Sequence, residues 1–146
     1  MRATVPSRAP RVPIGRRASL SVPPTLYAAT IFYLSAQSAP LPQLTHVVWD
    51  KALHMIEYAG LAVLVCRAWR GEGAGWTSAM LVAVLVASAY AGTDEWHQVY
   101  VPSRSPDVND WFADSTGAVS GVIVARLGLR LAARLDQTRC GWLAKF

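Results

Sequence analysis

The sequence predicts an all-α polytopic membrane protein, a compact bundle of four transmembrane helices with both termini in the cytoplasm. Three observations carry this reading. Four apolar stretches, each close to the roughly 20 residues a bilayer requires, alternate with short polar connections. Hydrophobic residues make up 53% of the 146-residue chain, mean hydropathy is +0.26, and only 16% of residues are charged. Soluble domains carry about 25%. The charges are also sorted along the chain. Seven of the nine acidic residues and all three histidines gather at one end of the apolar segments, and twelve of the fourteen basic residues at the other.

Length allows one domain. The net charge of +5 does not point to nucleic acid, because the basic residues flank apolar segments and form no face with interleaved aromatics. Membrane lipids are the partners this composition implies. Cys66 and Cys140 have neither metal-type spacing nor the look of a disulfide framework. No cofactor motif is present, so none is expected.

Residues 1–22 hold Arg2, Arg8, Arg11, Arg16 and Arg17 with several prolines and no apolar period. They read as a disordered basic tail. Arg16-Arg17 matches a twin-arginine signal only loosely. The four-helix domain covers residues 23–131. Its first span runs from about Pro23 to Leu41 and is the weakest, since it carries Ser35, Gln37 and Ser38. Pro23-Pro24 suit a helix start. A cleavable signal peptide is the competing reading, opposed by Pro40 and Pro42 in the cleavage region. The second span runs from about Lys51 to Trp69, the third from Trp76 to Ala91 and the fourth from Asp110 to Leu131. Arg70 to Gly75 form a turn, and Val101 to Pro106 a second connection. Residues 132–146 form a basic amphipathic tail. Arg126, Arg130 and Arg134 recur at four-residue spacing, as suits a helix end lying on anionic lipid.

The basic residues also set orientation. The N-terminal tail, the turn with Arg67 and Arg70, and the C-terminal tail are basic, whereas the other two loops hold only Lys51 and Arg104. The positive-inside rule places both termini inside and the acidic loops outside, across the cytoplasmic (inner) membrane. Trp49, Trp69, Trp76, Trp96, Trp111 and Trp142 are expected as interface anchors. His46 is expected to be a solvated loop residue.

At about 100° per residue, Asp50, His54 and Glu57 share one stripe of the second helix, with Lys51 and Tyr58 beside it. Tyr90, Asp94, His97 and Gln98 form a stripe on the third, with Glu95 beside it; were these groups there for packing alone, an exposed end such as Glu95 would simply be solvated. Asp107, Asp110 and Asp114 form one on the fourth, continued inward by Gly117 and Gly121. Ionisable groups are costly in hydrocarbon, so three stripes at one end predict a shared polar pocket. Glu57 lies deepest and needs Lys51, protonated His54, Arg104 or a metal as its partner, or else stays protonated. The pairs His54-x-x-Glu57 and Asp94-x-x-His97 would suit a metal, but such pairs are short and common, and no metal is assigned.

The strings Trp49-Asp50-Lys51-Ala52-Leu53-His54 with Tyr58-Ala59, Tyr90-Ala91-Gly92-Thr93-Asp94-Glu95-Trp96-His97-Gln98-Val99-Tyr100-Val101-Pro102-Ser103-Arg104, and Asp110-x-x-x-Asp114-x-x-Gly117-x-x-x-Gly121 resemble, in order, three signatures of the VanZ-like membrane proteins. Phe32-Tyr33-Leu34-Ser35 fits that family's first span. The resemblance covers roughly residues 25–125. Ser103 stands where the family often has glycine, and Asp114 where it often has asparagine. The resemblance implies a cell-envelope protein and, through the family's name, a link to resistance to the glycopeptide teicoplanin.

Two functions follow as expectations. In the first, Asp50, Lys51, His54, Glu57, Tyr90, Asp94, Glu95, His97, Gln98, Arg104, Asp110 and Asp114 bind a cell-wall precursor or another lipid-linked ligand, with Arg104 taking phosphate or carboxylate. In the second, His97 or His54 is a general base oriented by Asp94 or Glu57, acting on a lipid-linked or peptidoglycan precursor. A third reading makes the same groups a packing network of ion pairs.

Overall fold

The computed structural model describes residues 14–38 and 49–143. These residues form four helices: α1 (Ile14–Ser35), α2 (Asp50–Gly71), α3 (Trp76–Gln98) and α4 (Val108–Leu143). The described residues contain no strand. Neighbours in sequence run antiparallel. At one end Arg17 of α1 reaches Glu72 beyond α2 at 3.3 Å, and at the other Phe32 of α1 stacks on His97 of α3 with ring centroids 4.5 Å apart.

α2 is the central helix and touches the other three. Ala79, Ala83, Ala87 and Ala91 place a methyl group on one face of α3 at every fourth residue, and all four are fully buried. They pack with Tyr58, Leu61 and Ala62 of α2 and with Ala118 and Val122 of α4. Small residues at the contact suit helices in lipid, where packing rather than expulsion of water holds them together. Gly117 and Gly121 serve the same end on α4. A Cβ on Gly117 would strike the Met55 backbone, and one on Gly121 would lie 2.8 Å from Ala59 Cα.

The outside of the bundle is the apolar side. Leu26, Tyr33, Ile56, Leu81, Leu85 and Val124 are each more than half exposed. A soluble bundle would turn such residues inward. α2 and α3 are long and apolar enough to cross a membrane. α1 carries two prolines and several serines, and α4 carries Asp110, Asp114 and a run of arginines; neither reaches that composition.

Element bounds depart from expectation in three places. α1 starts at Ile14, not near Pro23, so both prolines lie inside the helix. The two prolines withhold the backbone donors that would otherwise reach the Ser19 and Leu20 carbonyls. α3 runs on past Ala91 to Gln98, which makes the whole Tyr90–Gln98 stretch helical. α4 continues unbroken past Leu131 to Leu143. His46 lies outside the described residues, as do the last residues of the first predicted span.

The two short connections follow local chemistry. Gly73 adopts φ +96°, a left-handed conformation that glycine enters without steric cost. Ser103 does the same at φ 65° with a side chain attached.

Candidate functional site

The starts of α2 and α4 and the end of α3 meet at one end of the bundle. Asp107 caps α4: its Oδ1 accepts from the Asn109 backbone N–H at 2.8 Å. Its backbone N–H in turn donates to Glu95 Oε2 at 2.7 Å. Glu95 is therefore not a solvated helix end but a buried link, 8% exposed, that ties α3 to the start of α4. Gln98 Nε2 donates to the other oxygen of Glu95 at 3.3 Å.

Lys51 reaches across from α2. Its Nζ donates to Asp107 Oδ2 at 2.7 Å and to Asp110 Oδ1. That hydrogen bond holds the Asp107 carboxyl below its ordinary pKa. One turn further on, His54 Nδ1 meets Asp114 Oδ1 at 3.0 Å, with its Nε2 3.8 Å from Asp110. Asp114 is almost fully buried. The acid that stands where asparagine is common thus has an imidazole as its partner.

Beneath this layer lie groups without partners. Among the described residues none of the expected cations forms an ion pair with Glu57: Lys51 and His54 are engaged by aspartates, and Arg104 makes none. Glu57 is half-buried, within electrostatic reach of His54, Asp114, Asp94 and Arg104. Tyr58 is wholly buried and its hydroxyl finds no hydrogen bond among the described residues. His97 Nε2 and Arg104 Nε are in the same position. Tyr90 differs, since its hydroxyl donates to the Ala28 carbonyl of α1 at 2.7 Å.

The expected metal pairs, His54 with Glu57 and Asp94 with His97, form no compact ligand set among the described residues. The set that does, with ligand atoms within 4.8 Å of one another, is Asp50, His54 and Asp110. Lys51 already occupies an oxygen of Asp110.

The three predicted stripes therefore converge: Asp50, Lys51, His54, Glu57, Asp94, Glu95, His97, Gln98, Arg104, Asp110 and Asp114 occupy one end of the bundle. Sequence reasoning missed Ser35, which lies beside the Asp94 carboxyl. Its position on a weak first span concealed it. Phe32, stacked on His97, belongs to the same group. Two tryptophans have partners within the bundle. Trp111 Nε1 donates to the Ser88 carbonyl at 3.0 Å, which makes it a contact between α3 and α4, and Trp76 lies under the Arg70 guanidinium. Trp49 and Trp96 remain largely exposed. Deeper in the bundle, Tyr27, Ala59, Gly60, Val63, Gly121 and Val124 line an open apolar groove of about 520 Å³.

A family profile described as VanZ/LLP1 matches residues 11–129. The chain belongs to the VanZ/LLP1 family. No curated protein and no solved structure matches it. The VanZ/LLP1 match spans all four helices, and the three signature strings are the segments that meet at the acidic end: the start of α2, the end of α3 and the start of α4.

Proposed function

We propose that this VanZ/LLP1 protein crosses the cytoplasmic membrane four times, both termini inside, and uses the acidic end of the bundle at the outer face to bind or modulate a cell-wall or lipid component. The observation that carries this reading is the unequal satisfaction of the cluster. Three buried side-chain atoms of the cluster, the Tyr58 hydroxyl, His97 Nε2 and Arg104 Nε, find no hydrogen bond among the described residues, while Ser35 Oγ and the Asp94 carboxyl lie beside each other. A network built only for packing satisfies its buried polar groups, because each one left unpaired costs on the order of 1–3 kcal/mol. Donors and acceptors held open together suit a polar ligand, and the Arg104 fork suits phosphate or carboxylate. The family's name extends the proposal to tolerance of teicoplanin.

The test scores membrane abundance and teicoplanin tolerance together in a susceptible bacterium expressing wild type, Asp94→Asn, His97→Ala, Arg104→Ala or Asp114→Asn. Tolerance lost at normal abundance is the expected result for the first three. Tolerance that falls only in step with abundance would make the cluster a packing network and end the proposal.

A second reading has its own observation. His97 keeps Nε2 free while Asp94 lies close, an arrangement suited to a general base on a lipid-linked or peptidoglycan precursor. Turnover of such lipids by purified protein, abolished in His97→Ala, is its required signature.

A further inference from the structure

The basic end of the bundle holds a second convergence, built from none of the residues above. α2 ends at Gly71 with Arg70 in its last turn, and α3 starts at Trp76 behind Gly75, an N-cap that offers no side-chain hydrogen bond. The first N–H groups of α3 thus lack a capping acceptor and carry the positive end of the helix dipole. Two guanidinium groups lie over the side chain of Trp76, the first residue of α3. Arg70 lies 4.7 Å from the Trp76 ring centroid, and Arg126, arriving from α4, lies 5.8 Å from it.

Apart from the indole face, a weak partner, no described group there answers this charge. Arg70 donates to the Ala74 carbonyl, a neutral acceptor. Arg126 Nη1 has only the Met80 sulfur at 3.4 Å, a weak acceptor, and its Nε is buried without a partner among the described residues. The neighbouring carboxylate, Glu72, is taken by Arg17. Two cations near one indole repel each other, and a bound anion would relieve the repulsion. Arg70, Trp76 and Arg126 are all partly exposed, so such an anion has access.

Depth selects the anion. Arg126 lies about 27 Å along α4 from Val108, at 1.5 Å per residue. A hydrocarbon core is about 30 Å thick, so the pair sits at the polar boundary opposite the acidic cluster. Tryptophan favours that level, and basic recesses between helices there take lipid head groups. At that boundary phosphodiesters are the anions the protein meets at highest concentration.

We propose that Arg70, Arg126 and the N-terminus of α3 form a binding site for the phosphate of an anionic phospholipid in the leaflet at the basic end of the bundle. The site requires that the chain reside in a membrane. It is independent of what the acidic end binds.

The test titrates the purified full chain in neutral detergent with phosphatidylglycerol, phosphatidylcholine or inorganic phosphate. Thermal unfolding and lipid retained in native mass spectrometry are the readouts. Phosphatidylglycerol is expected to raise the unfolding temperature and to stay bound, with phosphatidylcholine and inorganic phosphate doing neither. Arg70→Gln and Arg126→Gln are expected to weaken that binding roughly tenfold or more, the effect of losing a charge-assisted hydrogen bond. Arg126→Lys, which keeps the charge and the packing stem, is expected to fall between. Arg130→Gln, the same charge change on an exposed stretch of α4, is expected to leave binding intact. Equal binding of the two lipids, equal loss in Arg130→Gln, or inorganic phosphate matching phosphatidylglycerol would each overturn the site. Tolerance assays on the acidic-end variants are unaffected by any of these outcomes.

Discussion

Two residues show how single side chains are fitted to this fold. Ser103 holds φ at 65°, where a side chain costs an L-residue about 1 kcal/mol. Ser103→Gly relieves that strain but loosens the unfolded chain. The expected net result is a gain of roughly 0.5 kcal/mol, seen as a slightly higher unfolding temperature in detergent; a lower one would show that the hydroxyl has work of its own. Asp107 offers a pH signature. Lys51 and the Asn109 amide hold its carboxyl below the ordinary pKa. A group lowered by folding contributes stability at pH values above the unfolded pKa, about 3.9 for aspartate. That contribution disappears as pH falls through the folded value. Wild type should therefore lose part of its stability below about pH 4, and Asp107→Asn should show a shallower acid limb. Identical limbs for the two proteins would contradict the Lys51 bond.

At the scale of elements, the crossing of α2 and α4 is the most demanding contact. Gly117→Ala would drive a methyl group into the Met55 backbone, which a side-chain rotation cannot relieve. Overpacking of this kind costs about 1–3 kcal/mol, and the expected value lies at the upper end. Gly128→Ala has open space around it and should be neutral or stabilising by up to about 1 kcal/mol. Thermal unfolding of the pair checks both, and similar behaviour of the two variants would mean that the helices do not cross there. This crossing was legible beforehand in the Gly117-x-x-x-Gly121 spacing beside an acidic stripe. The convergence of the three stripes was equally legible, because the helical period alone puts Asp50 with His54, Asp94 with His97 and Asp110 with Asp114 on common faces. What periodicity could not supply was the choice of partner. His54, Lys51 and Arg104 were all candidates for Glu57, and only the spatial offset between α2 and α4 assigns the first two to aspartates. The burial of Glu95 was not legible either, because helical period does not reveal that the loop folds Asp107 back over it.

For the whole molecule, the sorted charges predict a sidedness that can be measured directly. In a variant freed of its own thiols by Cys66→Ala and Cys140→Ser, Ser105→Cys should react with a membrane-impermeant reagent on intact cells. Thr77→Cys should react only after permeabilisation, and reversed labelling would invert the topology. The all-helical class and the presence of four helices were readable from the lengths of the apolar stretches. The helix bounds were less so: composition marks where apolar residues stop, not where backbone hydrogen bonding stops, and α1, α3 and α4 each run past their apolar stretches.

α4 spans 36 residues without a break, about 54 Å of helix, and touches α2 most closely at Gly117 and Gly121. In mechanical terms it is a lever with its fulcrum nearer one end. The short arm, from Val108 to Gly117, carries Asp110 and Asp114; the long arm runs from Gly121 to Leu143 and measures about 33 Å against about 14 Å. A tilt imposed on the long arm reaches Asp110 at about a third of its amplitude and Asp114 at about a seventh. Ångström-scale adjustment of the His54–Asp114 contact thus corresponds to a swing of several ångströms at the far end, so a crosslink that immobilises the long arm also stiffens the acidic cluster.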